Sequence, residues 1–109
     1  MDAKKRRRLE AAGWRLGSAA DFLELSAEEA ALVETRLAVS RALRQRRQRQ
    51  GVTQGALAKK LRSSQSRVAK MEAGDPSISL DLLLRAFFAT GATKRDLARV
   101  LARRRPAAA

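Results

Sequence analysis

The chain has 109 residues and a formal net charge of +13, from 24 Lys and Arg against 11 Asp and Glu, and it contains no Cys, His or Tyr. Without Cys or His there are no disulfides, no thiolate or imidazole metal sites and no His-based acid–base chemistry, so a binding protein is expected, with no enzyme activity, cofactor or metal. The length suits one small domain, and no stretch approaches the roughly 18 apolar residues of a membrane span, so the expected location is the cytoplasm, with no membrane or small-molecule partner.

Residues 1–25 contain Gly13 and Gly17 and no sustained period, and read as an arm. The run Lys4-Lys5-Arg6-Arg7-Arg8 lacks a following apolar region and cleavage site, so it is not a signal peptide. It is either a solvated tail or an auxiliary DNA contact. Trp14 and Leu16, followed by Phe22, Leu23 and Leu25, form a close apolar cluster that either folds back on the domain or docks on a partner protein. Residues 16–35 have no Lys or Arg but carry Asp21, Glu24, Glu28, Glu29 and Glu34, and that −5 block favours a basic partner.

Ser26-Ala27-Glu28-Glu29 has the spacing of a capping box and predicts a helix from there to about Gln50, ended by Gly51 in a left-handed cap. Arg44, Arg46, Arg47 and Arg49 complement the negative end of its dipole. At 100° per residue, Leu32, Val39, Ala42 and Leu43 share a side that is expected to pack the core. Val33 and Leu37, with Ala30, lie about a third of a turn away and are expected to be covered by a dimer mate or another protein.

Next comes a short helix pair. Thr53 is a suitable N-cap, which sets Gln54 in the opening turn, where free N–H groups and the dipole favour a phosphate. Leu57 and Leu61 face the core, and Ala58 is small where the two helices cross. Arg62-Ser63 makes the turn. Ser64 caps the second helix, leaving Gln65, Ser66, Arg67 and Lys70 outward while Val68 and Met71 face inward. A Gln can pair bidentately with adenine, and Arg or Lys with guanine, in the major groove. Residues 36–74 hold eleven basic groups against Glu72 alone, a distribution that suits a phosphate partner. Lys59, Arg62 and Ser64 join Gln54 as expected phosphate contacts.

Downstream, Asp75-Pro76-Ser77 is a turn, since the residue before Pro resists helix. Ser79 caps a helix from Leu80 to about Thr90, with Leu80, Leu83, Leu84 and Phe87 on one side, and Gly91 ends it. Thr93-x-x-Asp96 opens a last helix in which Leu97, Val100 and Leu101 recur at helical spacing. Pro106 and the alanines after it read as a frayed tail. The expected architecture is all-α with five helices: an arm over 1–25, a domain over 26–104 whose motif spans 53–72, and a tail over 105–109.

The ordered set Thr53-Gln54, Leu57-Ala58, Ser64-Gln65-Ser66, Val68 and Met71-Glu72-x-Gly74 resembles the phage Cro/repressor class of helix-turn-helix regulators, the xenobiotic-response-element (XRE) family, over residues from about 39 to 101. The resemblance implies a lambda-repressor-like domain, here with a long first helix and an N-terminal arm. It also implies base contacts from Gln65, Ser66 and Lys70, a base or backbone contact from Arg67, a phosphate contact from Gln54, and an internal Arg47–Glu72 ion pair. One departure is Arg62, at a turn position usually held by Gly. A non-Gly residue in a left-handed turn costs roughly 1–2 kcal/mol, and Arg62 can gain a phosphate contact there.

An arm followed by an XRE-type domain looks like the small HigA-like antitoxins of type II modules. Those proteins neutralise a RelE-like messenger-RNA-cleaving toxin, commonly basic, and repress their own operon as dimers. The layout therefore implies three partners: double-stranded operator DNA, a basic RelE-like toxin and a second copy of the chain. The alternative is a stand-alone XRE-family transcriptional regulator, whose arm serves dimerisation or extra DNA contact.

Overall fold

A computed structural model describes residues 25–103, which form five α-helices and, among the described residues, no strand. They are α1 (Ala27–Arg49), α2 (Gln54–Leu61), α3 (Gln65–Ala73), α4 (Leu80–Ala89) and α5 (Lys94–Ala102). None of these helices is long and apolar enough to cross a membrane. Trp14, Leu16, Phe22 and Leu23 of the arm, the run Lys4-Lys5-Arg6-Arg7-Arg8 and the tail over 105–109 lie outside the described residues.

Each helix begins at a hydroxyl residue. Ser26, Thr53, Ser64, Ser79 and Thr93 all have extended backbone, and their side chains accept from the amides of Glu29, Ala56, Arg67, Leu82 and Asp96 in turn. Each such cap satisfies an orphan N–H of the first turn and is worth about 1 kcal/mol. At the end of α3, Gly74 adopts φ +76°, which lets its own amide return to Met71 O (3.3 Å) and the Asp75 amide to Lys70 O (3.0 Å). A Cβ at Gly74 would oppose that left-handed conformation.

The core is made of Val39 and Leu43 from α1, Leu57 and Ala58 from α2, Val68 and Met71 from α3, Leu83, Ala86 and Phe87 from α4, and Val100 from α5. Ile78 joins it from the loop between α3 and α4. Burying each large side chain here contributes on the order of 1.5–3 kcal/mol. α1 is the central helix, packed against α3, α4 and α5. It runs parallel to α4 and is tied to it at both ends. Near the start of α4, the Arg36 guanidinium donates to backbone carbonyls of Asp75, Pro76 and Ile78. Near its end, Gln50 Nε2 donates to Thr90 O (2.6 Å) and Arg46 Nε to Thr90 Oγ1 (2.9 Å), with the Arg46 guanidinium 5.8 Å from the Phe87 ring centre.

Three expectations about apolar faces need correction. Leu32 is 51% exposed although it shares a side of α1 with Val39 and Leu43. It lies a full turn before Arg36, beyond the loop that closes the domain. Leu101 is likewise 51% exposed, because one residue past the buried Val100 turns it by about 100° away from α1. Val33 and Leu37, assigned to a partner protein, are buried within the chain at 8% and 6% exposure. With Val39, Ser40, Ala42 and Leu43 they give α1 a buried arc of more than half its circumference. Ser40 is itself fully buried and its hydroxyl has no hydrogen-bond partner among the described residues.

Candidate nucleic-acid interface

α2 and α3 are joined by a turn of three residues, Arg62 to Ser64. Arg62 adopts φ 55° and ψ 45°, the one non-glycine positive φ among the described residues. Its amide donates to Lys59 O (3.1 Å) and that of Ser63 to Ala58 O (2.8 Å), which closes α2 and reverses the chain. The buried Leu57 and Ala58 of α2 join Val68 and Met71 of α3 in the core, so the relative position of the two helices is set by side chains with no part in surface chemistry.

What remains outside is polar and cationic. Gln65, Ser66, Arg67 and Lys70 are all exposed in the first two turns of α3. At helical spacing Ser66 and Lys70 share its outward side, while Gln65 and Arg67 occupy opposite flanks. Ser64, the fourth expected phosphate contact, uses an oxygen lone pair to cap α3 at Arg67 N (3.2 Å) and lies 3.2 Å from Ser66 Oγ. That contact uses the proton of one of the two hydroxyls and leaves the other for an external acceptor. Gln65 also adjoins α2, since a Cβ built on Gly55 would stand 4.0 Å from Gln65 Oε1. The openings of both helices therefore meet at one place, with Gln54 beside them. Lys59 and Arg62 are exposed at the opposite end of α2, next to the turn.

Behind this surface sits an ion pair. Arg47 Nε and Nη2 donate to the two carboxylate oxygens of Glu72 at 2.5 and 3.0 Å, and Nη1 donates to Val52 O at 2.9 Å. Side-chain exposure is 13% for Arg47 and 3% for Glu72. The hydrogen bonds to Glu72 hold the Arg47 guanidinium above its ordinary pKa against the opposing effect of burial, and the Coulomb attraction to Glu72 adds to the rise. Removing one partner of such a pair typically costs about 3–5 kcal/mol, because the other charge is left buried and unpaired. The pair joins α1 to α3 and neutralises the only acid among residues 36–74.

Besides the contacts of Arg46 and Gln50 with Thr90, two more have no counterpart in the sequence reading. Gln54 Nε2 donates to Glu72 Oε1 at 3.1 Å, so the side chain expected at a phosphate is oriented by the internal acid. An amide nitrogen carries two hydrogens, which leaves one for an external oxygen. The second contact is that of Arg36 with the loop after α3. Both join residues 18 to 42 positions apart, beyond any local pattern.

The geometry of the helix pair agrees with comparison to known families. Residues 38–101, more than half of the chain, match the model of a helix-turn-helix domain. No curated protein and no solved structure matches the chain. Because the matched span takes in α2, the turn and α3 whole, together with the helices that support them, the chain belongs to the helix-turn-helix domain family, in its XRE-like, DNA-binding branch.

Proposed function

We propose that the chain is a sequence-specific regulator that reads double-stranded operator DNA with α3 in the major groove. The observation that carries this reading is the segregation of side chains on α3: Val68 and Met71 are wholly buried, whereas Gln65, Ser66, Arg67 and Lys70 are exposed at its start. In this reading Gln65, Ser66, Arg67 and Lys70 meet base edges, and Gln54, Lys59, Arg62 and Ser64 meet phosphates. The two classes of contact are separable by experiment. Gln65→Ala costs roughly 1–3 kcal/mol on the best operator and little on random DNA. Lys59→Ala weakens binding to all duplexes alike and flattens the dependence of log K on log salt by about 0.9. Titrations of both variants on operator and scrambled duplexes check this, and equal losses for Gln65→Ala on the two duplexes would remove it from the readers.

At a finer level we infer an antitoxin that neutralises a basic, RelE-like ribonuclease and represses its own operon as a dimer. Support comes from the −5 block of residues 16–35 ahead of a strongly cationic domain, a distribution that DNA binding does not require. The stand-alone regulator is the competing reading. An antitoxin requires a neighbouring gene whose basic product arrests growth when expressed alone and co-purifies with this chain. Deleting residues 1–25 then abolishes the complex while DNA binding persists; a complex that survives the deletion rules out the arm as the toxin-binding element.

A further inference from the structure

α1 starts ahead of the helix-turn-helix module: the family match begins at residue 38, and Arg36 precedes it. Its side chain nevertheless crosses to the segment that leaves α3. Arg36 Nη2 lies 3.3 Å from Asp75 O and 3.2 Å from Pro76 O, and Ile78 O is its nearest acceptor. The two hydrogens on that nitrogen are thus shared among three carbonyls, all from the four residues between Gly74 and Ser79. The same segment is held from within. Asp75 Oδ1 accepts from the Ser77 amide (2.8 Å), the Ile78 amide returns to Asp75 O (3.1 Å), and Ile78 is anchored in the core. Partial burial presses the Arg36 guanidinium below its ordinary pKa and the Asp75 carboxylate partly offsets this, so a desolvated cation stands at the exit of the recognition helix.

α3 has only nine residues. Its start is fixed by Ser64, its inner side by Val68, Met71 and the Arg47–Glu72 pair, and its end by the strap from Gly74 to Ile78. Side chains that recognise a ligand must be held within about 0.5 Å of the productive geometry. We propose that Arg36 is a positioning residue for base reading: it fixes the exit of α3, and with it the angle at which Gln65, Ser66 and Lys70 enter the groove. This rests on the assignment of α3 as the reader. Arg36 acts within the chain in this scheme, through the three carbonyls that its Nη2 meets, and contacts no DNA. The extension of α1 ahead of the family module thereby becomes part of the reading apparatus.

The test uses the full chain carrying Arg36→Gln, with Arg36→Lys as a second variant that keeps a cation but loses the planar fork. The probes are the tightest duplex that the wild-type protein selects from a randomised pool and a scrambled duplex of the same composition, each titrated over a salt series. At a temperature where circular dichroism shows the variant folded, Arg36→Gln loses about tenfold on the selected duplex, with scrambled-duplex affinity and salt slope unchanged. Amide hydrogen exchange quickens at Gly74, Asp75 and Ile78 relative to α2. Arg36→Lys gives the same pattern at smaller amplitude, and carries the test if Arg36→Gln does not fold. Equal losses on both duplexes, full affinity in a folded variant, or unchanged exchange over Gly74 to Ile78 would each overturn the proposal. A wild-type protein that binds every duplex alike would instead overturn the base-reading assignment beneath it.

Discussion

Arg62 holds a left-handed backbone with a Cβ in place, a conformation that glycine adopts without strain. Strain that persists at an exposed position points to a use for the side chain, and here the side chain is a cation at the turn of the reading motif. Arg62→Gly therefore separates stability from binding. The variant is expected to be more stable by about 1 kcal/mol, read as a higher urea midpoint at unchanged slope. It is also expected to bind all duplexes more weakly, with a salt slope flatter by about 0.9. A gain in stability with no loss of DNA affinity would leave the arginine without a phosphate to meet. Glu72 is the opposite kind of residue. Buried and shared between Arg47 and Gln54, it contributes through the internal pair and has no surface of its own to offer DNA.

Among the elements, α5 shows how local chemistry sets a boundary. The Thr93 hydroxyl accepts from the Asp96 amide (3.1 Å), while Asp96 Oδ2 accepts from the Thr93 amide (2.8 Å), a complete capping box. The bond from the Thr93 amide, then that from its hydroxyl, holds the Asp96 carboxyl below its ordinary 3.8, with Arg46 and Arg99 assisting and desolvation opposing. A carboxyl whose folded value is depressed stabilises the fold above its ordinary value, and that contribution fades as the pH falls through the folded value. Asp96→Asn should accordingly melt below the wild type at neutral pH, with the gap closing under acid below pH 3.8. Thermal melts across that range check this, and a gap that does not depend on pH would remove the charge from the explanation.

Boundaries of this kind are legible in sequence because a cap needs only residues three apart. The start of every helix can be read from the chain for that reason, whereas the left-handed turn at Arg62 follows from the resemblance to the helix-turn-helix class. Periodicity fixes the angle of a side chain around a helix but not how far neighbouring helices extend along it. Leu32 has a core angle and Leu101 recurs at helical spacing from Leu97, yet both lie in water, whereas Val33 and Leu37 looked open and are covered. The Arg36 and Gln54 contacts depend on tertiary juxtaposition, which no spacing rule supplies.

For the whole molecule, the dominant property is the unequal distribution of charge. The cationic excess lies over residues 36–74, the only acid there is neutralised internally, and the acidic block precedes it in sequence. A field of this form attracts duplex DNA at long range and weakens with salt. The dimer proposed above would set one α3 on each of two half-sites. With one helical turn, about 34 Å, between half-site centres, two recognition helices lie on the same side of the duplex. Inserting about 5 base pairs between the half-sites puts them on opposite sides and should abolish cooperative binding in a mobility-shift titration. Binding indifferent to that insertion would mean that the chain acts as a monomer.

α1 has 23 residues, about 35 Å of helix, and is pinned beside α4 near both of that helix's ends. Sliding it by one turn would break both attachments together, so it cannot ratchet along its neighbour. Nine residues of α1, about 14 Å, lie before Arg36. Losing the Arg36 attachment alone would leave Arg46 and Gln50 to hold the far end, so both must be removed to free the register of α1 along α4.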